Sequence, residues 1–105
     1  MTPTQAAVTG TFRGVSLTNL GSDSATLTAD ANGVITGSGT NCTFTGTIKP
    51  HATGNVYDVT AQFAASSGCA YPNTSASGIG LVSGNGIRAL LQTPTNAGVL
   101  FIGSK

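Results

Sequence analysis

The chain has 105 residues, and 7% of them are charged, against roughly 25% in ordinary soluble domains. This length is enough for one hydrophobic core and too short for two. The net charge of +1 provides no long-range field toward nucleic acid or an anionic membrane, and no basic stripe is present. We therefore expect one small domain, without nucleic acid as a partner, kept in solution by uncharged polar residues.

Residues 1–9 read as a polar segment without periodicity, and we predict a flexible amino-terminal arm ahead of a single β domain at 10–105. The arm lacks the basic and apolar regions of a signal peptide. No run approaches the roughly 20 apolar residues of a membrane-spanning helix. If the protein is exported, we expect that its leader or lipid-anchoring segment has been removed and that Met1 is an expression start.

The remaining chain is a succession of short β segments, with turn signals about every 8–12 residues. Asn32-Gly33 is the strongest hairpin signal, because both residues tolerate positive φ. Further turns are predicted at Gly21–Ser24, Gly84–Gly86 and Pro94–Gly98, and a bulge at Gly14. The predicted strands are Thr11–Thr18, Ala25–Asp30, Val34–Gly39, Cys42–Lys49, Val56–Ala64, Ala76–Ser83, Ile87–Thr93 and Val99–Ile102; the last is a continuous apolar run that suits a strand covered on both sides.

Two of these segments alternate clearly, and we expect them to pair as an antiparallel hairpin. In the first, Cys42, Phe44 and Ile48 share one face. If Lys49 lies opposite Val56, Cys42 falls opposite Phe63 at the open end of the hairpin. Hairpin-length links between all neighbours predict an antiparallel meander of about eight strands. The expected all-β fold is a small closed or partly open barrel, with a two-sheet β-sandwich as the alternative.

The two cysteines, Cys42 and Cys69, form an even count in a small, charge-poor chain, which favours one disulfide. Cys69 follows the predicted hairpin closely enough to fold back within bridging distance of Cys42. The bridge would close a loop of about 28 residues and contribute roughly 3 kcal/mol. A disulfide would indicate an extracytoplasmic location. The protein would then be secreted, periplasmic or an outer-membrane lipoprotein. The alternative is two unpaired thiols in a cytosolic protein.

Few residues in this sequence could act in catalysis or bind a metal. His51 is the only histidine, so a zinc site lacks ligands, and no cofactor is predicted. A Ser-His-Asp triad that uses Asp58 stays open, although no Gly-x-Ser-x-Gly elbow exists. Asp58 would otherwise form a surface pair with Lys49, Arg13 or Arg88, or point into the barrel toward a ligand. We predict that the protein is not an enzyme.

Glycines, two cysteines and strand residues form a pattern at Gly33–Gly37, Asn41–Ile48, Asn55–Val59 and Gly68–Cys69. This pattern resembles one in small secreted proteins and lipoproteins of Burkholderia and related proteobacteria. The resemblance implies a fold and a bacterial envelope or secreted location. It carries no catalytic or binding residue with it.

Size and predicted architecture are also similar to those of two known barrel families, at the level of the fold. Bacterial metalloprotease inhibitors are small eight-stranded barrels with one disulfide, and this likeness implies an arm that enters a protease cleft. The tryptophan typical of their first strand is absent. Avidin-like and lipocalin-like barrels bind ligands inside aromatic-lined interiors. Here aromatic residues make up 6%, and the four phenylalanines are expected to fill the interior.

Three functional hypotheses follow. The first is a non-catalytic secreted or envelope domain that binds an unknown protein or glycan through its arm or through the loops Pro50–Asn55, Ser66–Thr74 and Pro94–Gly98. The second is a small-ligand-binding barrel, and the third is a protease inhibitor that acts through residues 1–9. The candidate binding residues are His51, Tyr57, Asp58, Tyr71, Asn73 and Arg88.

Overall fold

The computed structural model describes residues 5–18, 21–39, 42–51, 56–65 and 72–105. Within these ranges, a 3-10 turn (Ala6–Val8) precedes the strands β1 (Gly10–Thr18), β2 (Gly21–Ala29), β3 (Val34–Gly39), β4 (Thr43–Pro50), β5 (Tyr57–Phe63), β6 (Ser75–Ser83), β7 (Gly86–Gln92) and β8 (Gly98–Ser104). Each strand pairs antiparallel with the next, and β8 pairs with β1. The all-β meander is thus confirmed, and it closes into a barrel rather than a sandwich.

The predicted turn at Asn32-Gly33 is confirmed, with one difference in its geometry. Only Gly33 adopts a positive φ, of 82°. The carboxylate of Asp30 accepts hydrogen bonds from the N–H groups of Asn32 and Val34, both at 2.9 Å. This arrangement matches a three-residue hairpin loop in which glycine takes the left-handed position.

The hairpin of β4 and β5 forms, but its predicted register is wrong by two residues. Lys49 lies opposite Asp58, not Val56. The N–H of His51 donates to the carbonyl of Val56 at 3.0 Å, so the last pair is His51 with Val56. Four residues then separate the paired strands, instead of the six predicted between Lys49 and Val56. An even offset leaves every side chain on its predicted face.

The turn predicted at Gly21–Ser24 is also wrong, because these residues begin β2. Gly21 pairs with Thr18 and Ser24 with Val15. Small polar residues are common in turns, yet they also suit the outer face of a barrel, so their composition does not distinguish the two. The bulge predicted at Gly14 is likewise absent, since the β1–β2 register runs through it unbroken.

Residues 5–9 differ from the flexible arm predicted for residues 1–9. The side chain of Val8 is fully buried in the core. The amide of Gln5 donates to the carbonyl of Ile48 at 3.0 Å, and the hydroxyl of Thr9 donates to the carbonyl of Gln5 at 2.8 Å. An apolar side chain in the open end of a barrel excludes water there, so this turn caps the barrel.

The barrel interior is filled by its own side chains. The largest fully buried ones are Phe12, Ile35, Ile48, Ile87 and Val8. Strand β8 contributes only alternate residues, because Phe101 is buried whereas Ile102 is 37% exposed. The prediction that Val99–Ile102 is covered on both sides is therefore wrong, since in a closed barrel one face of every strand lies outside.

Three glycines lie where neighbouring strands approach each other too closely for a side chain. A Cβ at Gly14 would overlap the carbonyl oxygen of Ile102, and one at Gly46 would overlap that of Thr60. A Cβ at Gly78 would overlap the carbonyl oxygen of Leu90. Such positions let a short-stranded sheet bend sharply enough to close.

We predict that Gly78→Ala lowers the free energy of unfolding by about 1–3 kcal/mol, because the added methyl group must displace the backbone of β7. Gly98→Ala is the matched control, since a Cβ at Gly98 meets nothing within 4 Å. Its effect should stay within about 1 kcal/mol. Urea unfolding of both variants measures the difference, and equal losses would contradict the close approach.

Candidate functional site

The interior of the barrel is not the place where a ligand would be expected. Among the described residues, no buried side-chain nitrogen or oxygen lacks a hydrogen-bond partner. Tyr57, a predicted ligand contact, is 3% exposed and belongs to the core. Because no unsatisfied polar group points into this packed interior, the outer wall is the surface to consider.

One side of the outer wall carries large aliphatic side chains in two cross-strand rows. The first row runs across four neighbouring strands through Ile79, Leu90, Leu100 and Leu17. The second row runs through Leu81, Arg88, Ile102 and Val15. We call these eight residues the aliphatic patch. Residues directly opposite each other in a sheet are in contact, so the patch is continuous across β6, β7, β8 and β1.

The exposure of the patch is high for aliphatic side chains. Leu90 is 49% exposed, and Ile79 and Leu81 are each 41% exposed. The opposite wall is hydroxyl-rich, with Thr28, Thr36 and Thr45 side by side on β2, β3 and β4. Among the described residues, Val34 is the one exposed large hydrophobic side chain outside the patch, at 47%. The barrel therefore has two chemically different sides.

Arg88, a predicted binding residue, lies inside the aliphatic patch between Leu81 and Ile102. No described residue hydrogen-bonds or pairs with its guanidinium group. None of the three aspartates belongs to the patch, although Asp58 borders it opposite Ile79. The patch thus combines aliphatic surface with one unpaired cation whose donors are available to an acceptor from outside.

The structure brings His51 and Asp58 together. The Nδ1 atom of His51 lies 2.8 Å and 3.0 Å from the two carboxylate oxygens of Asp58. Asp58 is the only described side chain that hydrogen-bonds to this ring, so no described serine completes a triad with the pair. With side-chain exposures of 45% and 59%, the pair contributes less than about 1 kcal/mol. Arg88, separated from Asp58 by β6, takes no part in it.

Asn73, another predicted site residue, lies beyond the opposite end of β5 from His51 and Asp58. Asn73 is exposed and has a φ of 54°, and its N–H donates to the carbonyl of Ala64 at 3.0 Å. This left-handed residue therefore shapes the link between β5 and β6. Tyr71 and Cys69 lie outside the described residues.

A polar groove of about 560 Å³ lies at the other end of the barrel from His51, beside the links that follow β5 and β7. None of its lining residues is charged: Thr45, Gly46, Thr60, Ala61, Gln62, Ser75, Ala76, Ser77, Gln92, Thr93 and Pro94. The hydroxyls of Thr45, Ser75 and Ser77 make no hydrogen bond to a described residue. The groove therefore offers donors and acceptors without a fixed charge.

Sequence reasoning did not identify the aliphatic patch. The signal was present in Ile79 and Leu81 on β6 and in Val15 and Leu17 on β1, which alternate with smaller residues. Alternation indicates that two faces exist, but it does not say which of them lies inside.

No helix among the described residues is long and apolar enough to cross a membrane. The described residues also contain no group of three or more metal-ligating side chains. Comparisons of the chain with family models, with curated proteins and with solved structures give no match.

Proposed function

We propose that this protein is a non-catalytic, extracytoplasmic domain that binds a partner through the aliphatic patch. The observation that carries the proposal is the placement of seven aliphatic side chains on four adjacent strands, against a hydroxyl-rich opposite wall. Apolar patches with a polar rim mark interaction sites when they exceed a few hundred Å², and this patch is at the lower end of that range. Packing does not require this arrangement, since the interior is filled by other residues.

The size of the patch limits the strength of binding. Strands lie about 4.8 Å apart and rise about 3.3 Å per residue, so the patch measures about 19 Å by 13 Å, on the order of 250 Å². At about 25 cal/mol per Å², complete burial contributes roughly 6 kcal/mol before the entropic cost of association. The proposed binding is therefore weak and reversible when the patch acts alone.

The extracytoplasmic location rests on the proposed disulfide between Cys42 and Cys69. No described cysteine is a free thiol. Ala64 donates to the carbonyl of Thr43 at 3.0 Å, so the link after β5, which contains Cys69, leaves the sheet beside Cys42. In the sequence, Cys69 follows Ala64 by five residues, and a link that leaves the sheet beside Cys42 supports a bridge between the two cysteines. Small disulfide-bonded domains are typical of oxidising compartments.

The two other hypotheses receive unequal support. Burial of Val8 leaves only the residues before the 3-10 turn for insertion into a protease cleft, which weakens the inhibitor hypothesis. Ligand binding is better supported at the polar groove than in the filled interior. The uncharged lining of the groove combines hydroxyls and amides with the apolar surfaces of Ala61, Ala76 and Pro94, which suits a neutral ligand such as an oligosaccharide.

We predict that the patch strands form the contact surface for envelope material. When isotopically labelled protein is titrated with an envelope extract, amide NMR signals of β6, β7, β8 and β1 should lose intensity. Ile79→Thr combined with Leu90→Thr should weaken this effect at least about tenfold, because two aliphatic side chains are lost. The control Val34→Thr removes an equally exposed aliphatic group and should change nothing. If the double variant loses as much signal intensity as the wild type, the proposal is contradicted.

We predict that reduction of the disulfide destabilises the barrel by roughly 3 kcal/mol. Urea unfolding with and without reductant measures this loss. A variant with both Cys42→Ser and Cys69→Ser should have the same unfolding free energy as the reduced protein. Adding reductant should not change that value. Two titratable thiols in native protein, with an unchanged unfolding midpoint, would remove the basis for the extracytoplasmic location.

For the polar groove, we predict that a neutral oligosaccharide such as maltotriose binds with a dissociation constant of about 1 mM or weaker. Each new hydrogen bond contributes only about 0.5–1.5 kcal/mol, and about 4 kcal/mol corresponds to 1 mM. Amide NMR shifts should be confined to the groove, and Ser77→Ala should weaken them severalfold. Ser24→Ala, on the outer face of β2, is the control. Absent shifts, or shifts spread over the barrel, would refute this site.

A further inference from the structure

The area of the aliphatic patch argues against a second copy of the chain as its partner. A stable protein interface buries about 800 Å² on each side, several times the order of 250 Å² estimated from strand spacing. A two-fold contact would also bring two Arg88 side chains into one small apolar interface, and neither patch supplies a carboxylate. Self-association through this surface is therefore disfavoured.

The chemistry of the patch also differs from that of protein-binding hot spots. Such hot spots are enriched in Trp, Tyr and Arg and poor in Leu and Val, whereas the patch contains no aromatic residue. Its strands are paired on both sides, so a partner cannot add a strand to an open edge. The outer wall of a barrel is convex, which requires either a concave partner or a deformable one.

A phospholipid surface meets these requirements. Acyl chains deform around a convex wall and accept aliphatic side chains without shape complementarity. The guanidinium of Arg88 has no partner among the described residues, and its planar donors match the geometry of a phosphate group. Arginine in an aliphatic surface can bury its stem while its charged end remains at the headgroups.

We propose that the aliphatic patch docks on the surface of a phospholipid bilayer, with Arg88 at the lipid phosphates. The proposal rests on the proposed function, in which the patch is the binding surface. It places the barrel axis along the membrane plane, with the wall of Thr28, Thr36 and Thr45 facing water.

The net charge of the chain defines the strength and range of this contact. With a net charge of +1, there is no long-range attraction to an anionic membrane, so the electrostatic contribution comes from Arg88 at contact. Insertion of the aliphatic side chains dominates. Because burial of so small an apolar area provides little free energy beyond the entropic cost of association, the expected association constant is below the roughly 10⁴ M⁻¹ of a single acyl chain. Such a contact suits reversible docking, or it reinforces a separate lipid anchor.

The test is sedimentation of the purified chain with two kinds of vesicle, one of phosphatidylcholine and one of phosphatidylethanolamine with phosphatidylglycerol. The wild-type protein should bind both and prefer the anionic vesicles. Ile79→Thr combined with Leu90→Thr should lower binding to both at least about tenfold. Arg88→Gln should lower binding to the anionic vesicles about fivefold and have a smaller effect on phosphatidylcholine.

Val34→Thr is the matched control on the opposite wall and should bind like the wild type. Thermal unfolding checks that each variant is folded, and Leu81→Thr replaces the double variant if that one unfolds. The proposal is overturned if the wild-type protein binds neither kind of vesicle. It is also overturned if Val34→Thr lowers vesicle binding as much as the double variant does.

The vesicle result and the envelope titration separate two failures. If vesicles are not bound but envelope material still acts on the patch strands, lipid docking is wrong and the patch binds a protein or a glycan. If neither vesicle binding nor the effect of envelope extract depends on Ile79 and Leu90, the proposed function itself is wrong.

Discussion

Backbone pairing between β1 and β8 closes the sheet, and the rest of the structure depends on this seam. It joins Arg13–Thr18 to Val99–Ser104. A chain with so few charged residues has little means of protecting an open sheet edge with lysine, and closure removes the edge altogether. The seam also creates the aliphatic patch, because Leu17 meets Leu100, and Val15 meets Ile102, across it.

The narrow interior explains why large aliphatic side chains point outward. Strand β6 faces inward with Ala76, Gly78 and Gly80, and outward with Ile79 and Leu81. Small inner residues leave room for the aromatic side chains that other strands contribute to the core. A small barrel can hold only a limited volume of side chain. The proposed binding surface is thus made of apolar residues that the core does not need.

Much of the architecture could be predicted from the sequence, because alternation and turn residues are local signals. Strand β3 was predicted with its observed bounds. The register of β4 and β5 could not be predicted, since it depends on the length of the link after His51. The contact of His51 with Asp58 depends on that register. Burial of Val8 also escaped prediction, because a single apolar residue in a polar segment has no periodicity.

An even number of strands brings the chain back to the end of the barrel where it began. The N–H of Lys105 donates to the carbonyl of Asn85 at 2.9 Å, and its ammonium group lies 5.3 Å from the ring centroid of Phe12. The beginning of β1 therefore lies beside the end of β8. A short linker between them, with new ends opened in another hairpin, would give a circular permutant that retains most of the strand ladders.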